Sequence, residues 1–294
     1  MKMVIRVVYN IIIIHLLNTM FDTHCHLNFK RFKKNVTEVI DRAVDVGVTN
    51  IVIPGTDIIS SKKAVEIAEK HEGFYAAVGI HPHHAFELIT NDELSITNEI
   101  DEIETLLTHP KVVAIGEVGM DRHVYEETKY AEYAVDERFL STQKSLLTSQ
   151  IQLAVTYNKS LILHNREAKS DLLPIIKKNW DSQLEGRTVF HCCEPDAELL
   201  IFAKNHKVFI GVDGDVTYDK AKQDFIRQVP LEMLVVETDS PFILPEPLLS
   251  EKKYPNEPAN IQLIVREVAS LKGETVEKII ELTTENGKSL FGLG

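Results

Sequence analysis

Phe21-Asp22-Thr23-His24-Cys25-His26-Leu27 is the stretch from which the fold can be read. It reads as a short strand near the start of the fold, ending in two histidines one residue apart. Strand side chains alternate between faces, so His24 and His26 point one way and Cys25 the other. Two imidazoles on one face can hold a single divalent cation. His-x-His on its own is as often a surface or core accident, so the reading depends on what later strands supply.

Downstream, the chain alternates. Helical spacing over Asn35 to Val46 (Val36, Val39, Ile40, Ala43) is closed by Gly47, where a C-terminal glycine belongs. Asn50 to Gly55 reads as strand two, Ser60 to His71 as a helix, and Phe74 to Gly79 as strand three. Leu94 to Leu107 reads as a helix and Val112 to Glu117 as strand four, followed by a polar loop from Arg122 to Asp136. A helix from Arg138 to Tyr157 precedes strand five, Leu161 to His164. A helix near Leu172 to Asn179 precedes strand six, Thr188 to His191. Asp196 to Asn205, strand seven (Val208 to Gly211), a short helix near Asp219 to Gln228 and strand eight (Met233 to Glu237) complete the alternation. Two closing helices fit Ala259 to Leu271 and Thr275 to Phe291.

Short apolar strands, each followed by a helical pattern, predict a parallel sheet covered on both faces. Eight such units over roughly 250 residues match a closed (β/α)8 barrel of the TIM type. An open doubly wound sheet is the alternative fold, but it usually carries a Gly-rich loop after its first strand, and none is present. No linker or composition shift divides residues 20–294, which read as one α/β domain. Residues 1–19 read as a dispensable extension, with Met20 as the functional start. Their apolar run around Ile11 to Ile14 is shorter than the roughly 20 apolar residues a bilayer span needs, and no small-residue cleavage site follows it.

The bulk properties are those of an ordinary globular protein, 44% hydrophobic and 26% charged. A net charge of −12 argues against a broad basic face that coats nucleic acid, though not against an enzyme gripping a few phosphates through metal ions. The cysteines Cys25, Cys192 and Cys193 offer neither a disulfide framework nor C-x-x-C spacing and fit a reducing compartment. The expected location is the cytoplasm, with no membrane association.

Barrel sites of this type lie at the C-terminal ends of the strands. Strand one ends in His24 and His26, strand four in Glu117, strand five in His164 and strand six in His191. Strand eight runs out through Glu237-Thr238-Asp239. Any one of these has a bland explanation, as a satisfied polar residue or the cap of the next helix. Four histidines and two carboxylates at one mouth need a common cause. A divalent cation removes both the repulsion among the carboxylates and the cost of burying the histidines. With a glutamate able to bridge, the set suffices for two ions about 3.5–4 Å apart.

These stretches, with Gly79-Ile80-His81-Pro82, Gly116-Glu117-Val118-Gly119-Met120-Asp121, His164-Asn165-Arg166-Glu167-Ala168, His191-Cys192 and Glu237-Thr238-Asp239-Ser240-Pro241, resemble the TatD-related deoxyribonucleases, a family of amidohydrolase-like metal hydrolases. The resemblance runs from Met20 to the C-terminus. It implies that His24, His26 and Asp239 hold one metal, that His164 and His191 hold a second, and that Glu117 bridges them. It makes Asp239 the general base acting on a metal-activated water, and it implies two divalent ions, magnesium, manganese or zinc. Arg166 would meet phosphate oxygens, and His81 would line the substrate side.

His83 and His84 read as loop residues, and Cys193 as a packed thiol facing the mouth beside His191. The chain departs from the family pattern at Cys193-Glu194-Pro195, at Arg122-His123 after Asp121, and before Asn256-Glu257-Pro258, where the usual basic residue is missing. The leading reading is a 3′–5′ exonuclease-type deoxyribonuclease acting on single-stranded ends, as a monomer or small homo-oligomer. A shallow site without a basic groove favours accessible termini. Two other readings keep the metal site: an amide or ester hydrolase such as an aminoacyl-tRNA deacylase, and a non-catalytic metal-binding barrel.

Overall fold

The computed structural model describes residues 19–89, 93–130 and 132–294. The expected extension falls outside the described residues except at Thr19. The strands are β1 (Met20–Asp22), β2 (Val48–Pro54), β3 (Phe74–Val78), β4 (Val112–Asp121), β5 (Ser160–Arg166), β6 (Thr188–Phe190), β7 (Phe209–Val212) and β8 (Leu234–Val236). They form one sheet in chain order, every neighbouring pair parallel. The Thr23 N–H donates to Val236 O at 3.2 Å, and Cys25 and Ser240 form a parallel bridge, which brings the last strand back to the first. The fold is the (β/α)8 barrel that the alternation predicts.

The covering helices are α1 (Val36–Asp45), α2 (Ile58–Ala68), a single turn α3 (Ala85–Leu88), α4 (Glu93–Leu106), α5 (Glu137–Thr156), α6 (Lys169–Asn179), α7 (Ala197–His206), α8 (Lys220–Ile226), α9 (Ile261–Lys272) and α10 (Val276–Phe291). Capping aspartates start several of them: Asp57 accepts from the Ser60 N–H, Asp136 from Phe139 and Asp196 from Leu199. Among the described residues no helix is long and apolar enough to cross a membrane.

Two apolar layers follow from the period-2 alternation of the strands. Phe21, Val52, Ala77, Val113, Ala114, Ile162, Val189, Phe209 and Val235 make one buried cluster to which every strand contributes, β4 twice, and Leu290 and Phe291 of α10 complete it. The alternate positions, such as Ile51, Ile53, Leu161, Leu163, Ile210 and Val212, pack with the helices in the larger cluster.

Several boundaries differ from the sequence-based expectation, and two of them bear on the site. β1 stops at Asp22, and the two histidines stand beyond it. There the chain keeps its place through bonds from the Cys25 N–H to Val52 O (3.1 Å) and from the His26 N–H to Ser240 O (2.8 Å). β4 runs on to Asp121, because its register to β5 shifts between Ile115 and Val118 and then resumes, Gly119 opposite His164 and Asp121 opposite Arg166. Glu117 sits inside that irregularity, a place where a bulge re-aims a side chain. The stretch from Arg122 to Asp136 is a loop, as expected, in its described residues. Tyr125, Tyr130 and Tyr133 of this loop pack around His83.

Candidate metal centre

The strand ends converge on a cleft of about 520 Å³ whose walls include His26, His81, Glu117, His164, Arg166, His191 and Asp239. His24 lies directly beneath it, fully buried, its ring stacked on His191 with centroids 3.7 Å apart. All six expected ligands and both expected substrate residues are thus brought to one place.

Glu117 is the hub. Its Oε2 lies 3.5 Å from His24 Nε2 and 3.4 Å from His26 Nε2, and those nitrogens are 3.2 Å apart. Asp239 Oδ1 faces the same two nitrogens at 3.6 and 3.4 Å. The other carboxylate oxygen, Oε1, meets His164 Nδ1 at 2.8 Å, His191 Nε2 at 3.1 Å and His81 Nε2 at 3.5 Å. A cation held at 2.0–2.2 Å by nitrogen and oxygen ligands spaces those ligands about 3–3.5 Å apart. The distances around Glu117 are of that order, and nitrogen and carboxylate donors suit a divalent ion.

The electrostatics agree. Burial disfavours the imidazolium of His26, but hydrogen bonds to Asp239 and Glu117 outweigh it and raise His26 to about 9. His164 is raised to about 9 in the same way, against burial, by Asp121 and Glu117. Glu117 is held far below the usual carboxylate range: burial opposes ionisation, and His81 and His191 overcome it. Such a set, holding an ionised Glu117 largely buried among histidines, needs positive charge to stay together, as protons or as a cation.

Neighbouring groups orient these side chains. Glu237, buried at the end of β8, accepts from His191 Nδ1 at 3.2 Å, from the Cys192 N–H at 2.6 Å and from the Thr23 hydroxyl at 3.1 Å, and so turns His191 Nε2 toward Glu117. Gly211 on β7 leaves room for this carboxylate, with which any Cβ would collide. Asp121 accepts from Tyr125 at 2.7 Å and lies 3.2 Å from His164 Nε2.

Two buried glutamines of α5, seven residues apart, clamp the exits of neighbouring strands. Gln150 accepts from the Ile80 N–H at 2.7 Å and donates to Ile80 O at 3.2 Å. Gln143 does the same to Asp121, at 2.9 Å in each direction. Sequence reasoning did not single out Gln143, Gln150, Glu237 or Asp121 for these tasks. The signal was present: two amides two turns apart on the apolar face of a helix have to find buried polar partners.

Several expectations need correction. Cys192, not Cys193, borders the cleft: Cys192 adopts φ +43° and faces the mouth, while Cys193 is buried beneath it. His83 and His84 are not plain loop residues but lie in a 3-10 turn, with His84 Nδ1 3.2 Å from the Tyr130 hydroxyl. Arg166 has no ion-pair partner among the described residues. Asp171 is taken by Arg122 at 2.6 Å and Lys144 at 2.9 Å. Arg166 is exposed at the rim, its guanidinium 5.1 Å over the Tyr125 ring. The cleft is also not without basic surroundings, since a second groove lined by Lys30, Arg31, Lys33 and Lys63 adjoins it. Glu194, where the chain departs from the family pattern, accepts from the Glu167 N–H at 3.0 Å and from Asn165 on the wall of the cleft.

Comparison with known proteins gives a consistent result. Residues 21–292 match the family model described as TatD related DNase. The chain is 34% identical over 274 residues to an uncharacterized metal-dependent hydrolase, YabD, of Bacillus subtilis, covering 92% of this chain and 98% of that one. It is 28% identical over 278 residues to the 3'-5' ssDNA/RNA exonuclease TatD of Escherichia coli K12, covering 93% and 99%. The crystal structure of YJJV, a TatD homolog from Escherichia coli, superposes with a TM-score of 0.80 at 26% identity, covering 95% of this chain and all of the other.

Proposed function

The chain belongs to the TatD-related DNase family of metal-dependent hydrolases, and from that premise we propose that it hydrolyses phosphodiester bonds at the 3′ ends of single-stranded DNA. The observation that carries the reading is the division of Glu117, one oxygen toward His24 and His26 and the other toward His164 and His191. A carboxylate with its two oxygens in separate nitrogen clusters is suited to bridge two cations. In this reading His24, His26 and Asp239 would hold one ion and His164 and His191 the other, with Glu117 shared between the two groups. When bound, such a pair supplies Lewis acidity and a nucleophilic water at neutral pH.

The protein's own groups then have separable tasks. The Asp239 carboxylate, beside the same nitrogens, would take the proton of the attacking water. The bond from the water oxygen to phosphorus forms as the bond from phosphorus to the leaving sugar oxygen breaks, and the proton taken by Asp239 passes to that leaving oxygen. Arg166, exposed at the rim with no ion-pair partner among the described residues, meets the non-bridging phosphate oxygens. His81, 3.5 Å from Glu117 and edge-on to His164, lines the side on which the substrate lies. The names borne by relatives such as the Escherichia coli exonuclease support a single-stranded substrate entered from its end.

The test is degradation of 5′-labelled single-stranded DNA with added magnesium or manganese, then with EDTA, by the parent and by Asp239→Asn. A ladder that shortens from the 3′ end, depends on the cation and is lost in the variant is the expected result. Equal digestion of a covalently closed single-stranded circle removes the end requirement. A parent that binds two equivalents of cation and cuts no strand overturns the substrate assignment and directs attention to amides and aminoacyl esters.

A further inference from the structure

Beside the cation cleft lies a second, larger groove of about 900 Å³. The two share Phe29, Thr56 and Phe242, so they form one continuous depression. The far groove is built from the 3-10 turn Lys30–Phe32 after β1, the start of α2, and the segment after β8 that carries Pro241 and Tyr254.

Its chemistry differs from the rest of the surface. Lys30, Arg31, Lys33 and Lys63 line it without an ion-pair partner among the described residues, on a chain whose net charge is −12. The acidic residue on its wall, Asp57, is engaged as the N-cap of α2, its Oδ1 2.7 Å from the Ser60 nitrogen. Lys129, at the border, is paired with Glu87.

The same groove also presents large apolar side chains to solvent. Phe242 is 50% exposed, Tyr254 57% and Ile59 80%. Phe242 meets Phe29 edge-on at 5.9 Å, and Phe29 in turn stacks on His26, so the aromatic wall runs from the groove to the metal ligands. Unpaired cations and exposed aromatic rings in one groove match a polyanion whose flat bases are free to stack. A single strand offers both, whereas a duplex hides its base faces. An apolar peptide would leave the four cations without partners, and a free phosphate would leave the rings uncovered.

We propose that this groove carries the body of a single-stranded DNA whose terminal phosphodiester lies in the cation cleft. Lys30, Arg31, Lys33 and Lys63 bind successive phosphates, and Phe242 and Tyr254 stack bases. The proposal rests on the phosphodiesterase reading above and adds the path the strand takes.

The experiment compares two substrates of the manganese-loaded protein: a twelve-nucleotide DNA strand, and bis-p-nitrophenyl phosphate, a diester too small to reach the groove. The variants are the quadruple K30Q/R31Q/K33Q/K63Q and, separately, Tyr254→Ala, with thermal melts to confirm that each remains folded. The quadruple variant is expected to raise KM for the strand at least about tenfold and to flatten the salt dependence of log KM by roughly 0.7 per lost phosphate contact. Hydrolysis of the small diester should stay at the parent level. Tyr254→Ala should raise KM about fivefold or more, the scale of one lost stacked base. A KM and salt slope equal to the parent's in both variants overturn the groove while leaving the phosphodiesterase reading intact. A parent that hydrolyses the small diester and no strand overturns the strand assignment at its root. A ribonucleotide strand of equal length that binds with a lower KM overturns the choice of DNA.

Discussion

Asp22 and Thr238 close the barrel. Asp22 Oδ2 accepts from the Thr238 hydroxyl at 2.6 Å and Oδ1 from the Thr238 N–H at 3.0 Å, across a chain separation of 216 residues. Burial pushes the Asp22 carboxyl up to about 7 even against these hydrogen bonds. Two residues beyond Asp22 stands His24, and one beyond Thr238 stands Asp239, so the seam sets the distance between two expected ligands. Asp22→Ala leaves buried donors on Thr238 unsatisfied, at about 1–3 kcal/mol each. A loss of roughly 2–5 kcal/mol in urea unfolding and weaker cation binding should follow. Full stability in this variant would show that the seam is held by other contacts.

Glu117→Gln keeps the shape of the hub and removes its charge. If the two oxygens bridge two ions, calorimetric titration with manganese should fall from two equivalents to one. The rate of diester hydrolysis should drop about 10²-fold or more, as when a preorganised charge contact to the transition state is lost. Retention of two equivalents would rule out the bridge.

Removing cations should both silence the enzyme and soften it. A ligand bound only by the folded state, at a concentration 100 times its Kd, stabilises it by about 2.7 kcal/mol. Chelation followed by manganese addition should therefore lower and restore the melting temperature together with activity. Because histidine ligands bind metal only when neutral, the apparent affinity should weaken as pH falls. Activity that survives exhaustive chelation would contradict a metal-dependent mechanism for this chain.

Asp171, flanked by Arg122 at 2.6 Å and Lys144 at 2.9 Å, is held below its ordinary range, chiefly by the Arg122 hydrogen bond. Its folded pKa is depressed, so its contribution to stability is complete above the unfolded value near 3.8 and disappears as pH falls through the folded value. Both cations are partly exposed, which limits the effect to about 1 kcal/mol or less. Asp171→Asn should be less stable than the parent at pH 7, and the gap should close in strong acid. A gap that is the same at both pH values would assign the loss to packing.

Much of the site was legible in the chain because it obeys local rules. Apolar runs with a polar residue at their C-terminal ends identify barrel strands and their mouths; His24, His26, His191 and Asp239 stand just past strand ends, while Glu117 and His164 stand inside the longer strands β4 and β5. Cys192 and Cys193 show where local rules stop. β6 is only three residues long, and the left-handed backbone at Cys192 after it reverses which thiol faces the cleft. Alternation carries no information about that turn.

The basic groove marks a different limit. Its cations come from the turn after β1 and from α2, and its rings come from segments more than 200 residues apart. Net charge sums over the whole chain, so four cations gathered on one face vanish into a total of −12.

The parallel barrel, its order of elements and the residue types at its mouth follow from the chain alone, because hydrophobic periodicity is a property of neighbours along it. Which oxygen of Glu117 faces which histidines, the hold of Gln143 and Gln150 on the strand exits, and the aromatic, basic groove running into the cleft emerge only in the folded barrel. Those relations depend on distances across the closed barrel, and such distances exist only once burial of the strands' apolar faces has brought the ends of the chain together.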